Sequence, residues 1–195
     1  CGFTEPLGAG GGEILFVSHS ADPSEAVQKT NDYMTAYGDT DCIYATGEDY
    51  ITPAADVIKS RGITDCKIYG SNISPSVCQL IMDGQVEACT GGEFVCGSLA
   101  VTLLINYLDG NPIKDADGTA PYFDNLTQFM VTAENAEDFY EFLSDENLAT
   151  HTISDEEYQN LLVRNNPDVD YDYFYDFLTN YEENVYAKVE ANAAQ

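Results

Sequence analysis

Residues 42–62 read CIYATGEDYITPAADVIKSRG, residues 63–84 read ITDCKIYGSNISPSVCQLIMDG, and residues 85–110 read QVEACTGGEFVCGSLAVTLLINYLDG. In each segment a short β-prone run ends in a turn and gives way to an amphipathic helical stretch. The run 42–46 stops at Gly47, the run 66–69 at Gly70, and the run 86–90 at Gly91 and Gly92. Strands of about four or five residues alternating with helices of about ten to eighteen are the pattern of βα units on a parallel sheet. The stretch therefore predicts an α/β fold with a doubly wound parallel sheet.

In open sheets of that kind, ligands bind beyond the carboxyl ends of the strands. The residues there are Gly47, Glu48 and Asp49 after the first strand, Ser71 and Asn72 after the second, and Gly91, Gly92 and Glu93 after the third. All are polar or glycine, which suits a small ligand held by hydrogen bonds. Turn chemistry alone also places such residues after strands, so pattern leaves both readings open.

Towards the N-terminus, residues 13–18 (EILFVS) read as a further strand. Asp22, Pro23 and Glu25 then mark a helix start, with Asp22 as N-cap and Pro23 in the first turn, and Gly38 ends that helix after Tyr37. Residues 1–12, rich in glycine, read as a flexible linker. Towards the C-terminus, residues 125–131 (NLTQFMV) read as the last strand, followed by a helix to Leu143. The final stretch, 144–195, reads as helical. Ser154 and Glu157 form a capping box opening a helix that ends near Val163, and residues 171–187 form one aromatic-rich amphipathic helix. Its row of Phe174, Phe177, Leu178, Tyr181 and Val185 could stack on a sugar, but a helix docked on the main body by its aromatic face is the plainer reading. The chain thus divides into a linker 1–12, an α/β ligand-binding lobe 13–143 and a C-terminal helical extension 144–195.

Composition narrows the function. A net charge of −27, from 7 Lys plus Arg against 34 Asp plus Glu, argues against a nucleic-acid partner, because phosphate contacts need a basic face. The same charge repels an anionic membrane surface. The six cysteines include no CxxC pair and there are two histidines, so the spacing predicts no metal site. A Cys42–Cys66 bridge is geometrically conceivable, and buried free thiols are an equal reading. Ser18-His19-Ser20 lacks both a nucleophile elbow and an orienting acid, and His19 reads as a surface residue. Asp115-Ala116-Asp117-Gly118 lacks the remaining ligands of a calcium loop and reads as an acidic turn. No catalytic residue, cofactor or metal is expected.

The stretch 42–110 resembles the C-terminal lobe of the type I periplasmic sugar-binding proteins of ABC importers, related to ribose- and galactose-binding proteins and to the effector domains of lactose-repressor-like regulators. The resemblance rests on Ile43-Tyr44-Ala45-Thr46-Gly47-Glu48, on Ile68-Tyr69-Gly70-Ser71-Asn72, on Ile81-Met82-Asp83-Gly84, and on the helix that opens at Gly97 and closes at Gly110. It extends more weakly from Glu13 to Phe142. It implies a Rossmann-like lobe, with the C-terminal helices added to it. It also implies a solute-binding protein without chemistry, taking a sugar or sugar-like small polar ligand through Glu48, Asn72, Gly92 and Glu93. ABC permease subunits would be the protein partners, and the location extracellular, cell-surface or periplasmic. Cys1-Gly2 suits a lipid anchor at Cys1, and truncation of a longer chain accounts for it equally. The family normally carries an N-terminal lobe ahead of the matched part. An extracellular ligand-sensing domain of a signalling receptor is the alternative role. Family identities change at three of the site positions: Gly47 stands for an Asn, Asn72 for an Asp and Gly92 for a Gln, which points away from a standard hexose or pentose.

Overall fold

The computed structural model describes residues 10–93, 95–144 and 152–194. Four short strands form one sheet in chain order: β1 (Cys42–Ala45), β2 (Lys67–Ser71), β3 (Ala88–Gly91) and β4 (Phe129–Thr132). β1, β2 and β3 are parallel, with Ile43 opposite Ile68 and Gly70 opposite Cys89. Between them run α1 (Pro23–Ala36) before β1, α2 (Glu48–Ser60), α3 (Pro75–Met82) and α4 (Val95–Leu108). The α/β layering is thus the one the βα repeats imply.

β4 is antiparallel to β3, and the register shows why. Phe129 lies opposite Gly91, so the chain enters β4 at the end where β3 stops. The irregular stretch 111–128 carries the chain from the far end of α4 back to that point. A strand entered from the carboxyl end of its neighbour must run against it.

Residues 13–18 form no strand. They are irregular and exposed, with Phe16 lying on Tyr33 of α1 at a ring-centroid distance of 3.8 Å. Their β propensity is real, but a strand exists only with a hydrogen-bonded neighbour, and none of their backbone groups enters the ladder. α1 does begin as the sequence indicates, with the Asp22 side chain accepting from the Glu25 N–H at 2.9 Å.

After β4 come α5 (Ala136–Ser144), α6 (Asp155–Asn160), α7 (Tyr171–Thr179) and α8 (Tyr181–Ala193). The Ser154–Glu157 capping box is present, but α6 stops at Asn160 instead of near Val163. Asn106 of α4, fully buried, is the reason. Its Nδ2 donates to the Leu161 carbonyl and its Oδ1 accepts from the Val163 N–H, each at 2.9 Å, so these groups are engaged outside the helix.

The single helix expected over 171–187 is two helices that break at Asn180. In a continuous helix the Glu182 N–H would donate to the Leu178 carbonyl. Here Glu182 donates to Thr127 Oγ1 at 3.1 Å, while Leu178 accepts from the Thr127 N–H at 3.3 Å. Thr127, two residues ahead of β4, inserts into the ladder and turns the chain. The aromatic row of these helices faces inward: Phe174, Leu178, Tyr181 and Val185 are buried in the same core as Ile51, Ile68, Val77, Phe129 and Phe139. Docking, not an exposed stacking platform, is what this row does.

Cys1 and the glycine-rich start to residue 9 lie outside the described residues. Among the described residues no helix is long and apolar enough to cross a membrane.

Candidate functional site

The sheet brings the ends of β1, β2 and β3 to one edge of the molecule. At the end of β1 the Gly47 carbonyl accepts from the N–H groups of Tyr50 and Ile51, both at 2.9 Å, and starts α2. Glu48 and Asp49 therefore occupy the first turn, where negative charge is favoured by the helix dipole. Glu48 is half-buried and lines an open depression with Pro23, Ser24 and Val27 of α1 and Thr52 of α2. Tyr50 donates to the Ser20 carbonyl at 3.1 Å and ties the loop ahead of α1 to this edge.

At the end of β2, Asn72 has φ 77°, the only non-glycine residue in the left-handed region among those described. Asparagine tolerates that conformation better than branched residues do. It lets the chain turn sharply from β2 to Ser74, whose hydroxyl caps α3 by accepting from the Val77 N–H at 3.2 Å. The Asn72 side chain is exposed.

The end of β3 is different. Gly91 and Gly92 are both buried. A methyl group on Gly91 would come within 2.5 Å of Ile73 Cγ2 and of Phe129 Cε2, so only glycine fits. Gly92 has φ 119°, and a methyl group there would lie 3.0 Å from Cε1 of Tyr181, whose ring covers this turn. Both carboxylate oxygens of the next residue, Glu93, are out of contact with solvent and have no hydrogen-bond partner among the described residues. The hydroxyl of Tyr181 is likewise buried without a well-formed hydrogen bond. Burial pushes the Tyr181 phenol up to about 12; the Thr152 side chain offsets part of that, and Glu157, Cys96 and Glu93 add to it. Lys188 of α8 closes the far side by donating to the Thr152 carbonyl at 3.1 Å and to Glu157.

Of the four residues selected from the sequence, Glu48 and Asn72 are thus accessible at the edge, Gly92 is buried beneath the Tyr181 ring of the α7–α8 corner, and Glu93 beside it is half-buried with its carboxylate out of contact with solvent. Sequence reasoning missed Tyr181 as a neighbour of Gly92. The aromatic row that contains it was visible, but its target, some ninety residues earlier, was not. A second depression lies at the opposite, amino end of β2, lined by Ala55, Ile63, Lys67, Gln85 and Glu87. Strand direction favours the carboxyl end for a ligand.

Among the described residues the thiols near the sheet are buried or free. Burial pushes the thiols of Cys78 and Cys89 up to about 12 and that of Cys66 to about 11, far from the thiolate form at neutral pH. Cys42, Cys66, Cys78, Cys89 and Cys96 are all free thiols. The segment 115–118 is an acidic turn, in which Asp115 Oδ1 accepts from the Asp117 N–H at 3.1 Å.

Comparison with known proteins agrees with this fold. A family model described as a periplasmic binding protein domain matches residues 2–112. Among solved structures, the periplasmic binding protein component of the arabinose ABC transporter from Shewanella sp. ANA-3, bound to α- and β-L-arabinofuranose, superposes with a TM-score of 0.62 at 18% identity over 76% of this chain and 49% of that one. A galactofuranose binding protein gives 0.59 at 21% identity, covering 75% of this chain and 50% of that one. A Caulobacter myo-inositol binding protein bound to myo-inositol gives 0.57 at 19% identity, over 70% and 47%. The chain thus spans about half the length of these structures. No curated protein matches the chain. The matched residues make up more than half of the sequence, so this chain belongs to the periplasmic binding protein domain family.

Proposed function

We propose that the chain is a solute-binding component of an ABC importer, holding a sugar or sugar-like small polar ligand at the carboxyl edge of its sheet without chemical change. The observation that carries this reading is the accessible pair Glu48 and Asn72, set at the ends of adjacent parallel strands in a member of this family. A carboxylate accepts from two hydroxyls, and an amide donates and accepts at once, which matches the alternating donors and acceptors of a polyol. The lobe 13–143 supplies these groups. Because the solved relatives are about twice as long, a second lobe closing over the ligand and docking with permease subunits belongs to the same proposal. The working location is then outside the cytoplasmic membrane.

The test is thermal unfolding of this chain and of its longest natural form with L-arabinose, D-galactose and myo-inositol as probes. A ligand at about a hundred times its Kd adds ~2.7 kcal/mol to stability, read as a raised midpoint. Substituting Asn72→Gly, which removes the side chain and accepts φ 77°, should abolish the shift while leaving the ligand-free stability within about 0.5 kcal/mol. A midpoint unmoved by any probe in either form overturns the reading.

A further inference from the structure

The C-terminal helices do something at the ligand edge that the family match, which ends at residue 112, does not include. Tyr181 opens α8 directly over the turn after β3, its ring against Gly92 and its centroid 6.4 Å from that of Phe129. It is 1% exposed although it is among the bulkiest side chains in the core. The corner that carries it is fastened from the sheet side by Thr127, whose Oγ1 accepts from the Glu182 N–H and donates to the Leu178 carbonyl at 3.2 Å. It is fastened again by Tyr186, whose hydroxyl donates to the Met130 carbonyl at 3.0 Å and accepts from the Met130 N–H at 2.8 Å.

At this corner the Glu93 carboxylate has no hydrogen-bond partner among the described residues, and the Tyr181 hydroxyl is buried close to the Thr152 side chain without a well-formed hydrogen bond. Burying a carboxylate without hydrogen bonds is costly, so a fold that keeps one there has a group that gains by being uncovered. Gly92 fits the same picture. With no side chain of its own, it leaves room for the tyrosine ring at the place where a ligand beyond β3 would rest.

We propose that the α7–α8 corner is an intramolecular cap on the ligand edge and that Tyr181 is its specificity-determining residue. The inference rests on the binding site proposed above and adds its selectivity. While the ring covers Gly92, a ligand reaches Glu48 and Asn72 but not Glu93, which restricts the site to a single sugar ring or a smaller polyol. A longer saccharide must displace the corner to gain the Glu93 carboxylate.

The cap is tested apart from the ligand by carboxylate labelling, using a water-soluble carbodiimide with glycinamide and peptide mass spectrometry on the whole chain. In the native protein Glu93 should stay unlabelled while Glu48 and the exposed Glu87 react. Tyr181→Ala should expose Glu93 to labelling and let maltose raise the unfolding midpoint, whereas Tyr181→Phe, which keeps the ring, should behave as the native chain on both counts. Should Tyr181→Ala fail to fold, Thr127→Val loosens the corner without emptying the core. It should speed Glu93 labelling about fivefold, the factor one ordinary net hydrogen bond contributes to a local opening. Glu93 labelling in the native chain as fast as Glu48 overturns the cap. So does protection that survives both substitutions. If labelling follows the ring as described but no sugar shifts any variant, the cap stands and the sugar-binding reading falls.

Discussion

Gly91 shows how closely the edge of the sheet is packed. A single methyl group there has nowhere to go, because Ile73 and Phe129 approach from both sides. Gly91→Ala should destabilise the fold by about 1–3 kcal/mol, the usual cost of overpacking. Gly97 of α4, by contrast, faces open space, and Gly97→Ala should stabilise by about 0.5–1 kcal/mol through helix propensity alone. Urea unfolding of the two variants side by side checks both signs. Glu157 supplies a pH effect. Its burial works to raise its pKa, but hydrogen bonds from Lys188 and from Ser154 outweigh that and hold it below the ordinary carboxylate value. A depressed folded-state pKa contributes stability above the unfolded value, about 4.3, and loses it as pH falls through the folded one. Glu157→Gln should therefore be less stable than the native chain at neutral pH, with the gap closing in acid below about pH 4. A gap that stays constant across that range would remove the Lys188–Glu157 pair from the account. The sequence marks Gly91 as the end of a strand and Glu157 as half of a capping box, but the clash with Phe129 and the pairing with Lys188 depend on neighbours brought in by the fold.

At the scale of elements, the readable features were those whose cause is local. The N-caps at Asp22 and Ser154 and the βα repeats lie within a few residues of what they control, and the helices and parallel strands stand where those signals put them. What the sequence concealed was every boundary set by a distant group. Residues 13–18 have the right composition for a strand and no neighbour to pair with. The break at Asn180 comes from Thr127, and the early end of α6 comes from Asn106. Asn106 gives the sharpest expectation at this scale, since it ties α4 to the end of α6 through two bonds in a fully buried setting. Asn106→Leu leaves the Leu161 carbonyl and the Val163 N–H unpartnered, at about 1–3 kcal/mol each. Chemical denaturation should show a lower midpoint with an unchanged slope. A midpoint equal to that of the native chain would mean that water replaces both bonds at no cost.

For the whole molecule the dominant physical fact is the charge of −27. Among the described residues few acids are in ion pairs, such as Glu87 with Lys67 at 2.8 Å and Asp109 with Arg164 at 3.4 Å, and both pairs are exposed enough to contribute little. Self-repulsion of the remainder opposes the compact state, and salt screens it over a distance of about 10 Å at 0.1 M. The unfolding midpoint should rise steadily as sodium chloride is added to a dilute buffer. A flat or falling response would mean that specific ion pairs outweigh the general repulsion. The same composition pointed away from nucleic acid and membrane surfaces while giving no hint of the ligand proposed above. Of the four residues selected from the sequence at the strand ends, Gly92 and the Glu93 carboxylate prove to be covered.

The strands lie in the sheet in the order in which they occur along the chain. β2 and β3 can therefore each dock on the preceding strand as soon as the helix between them is complete, so the sheet can grow during synthesis from β1 onward. The fastenings between Thr127 and the α7–α8 corner join residues more than fifty positions apart and are the last to become available. In such a sequence of events the strand ends of the sheet form uncovered, and the proposed cap closes over them only after the α7–α8 corner has been made.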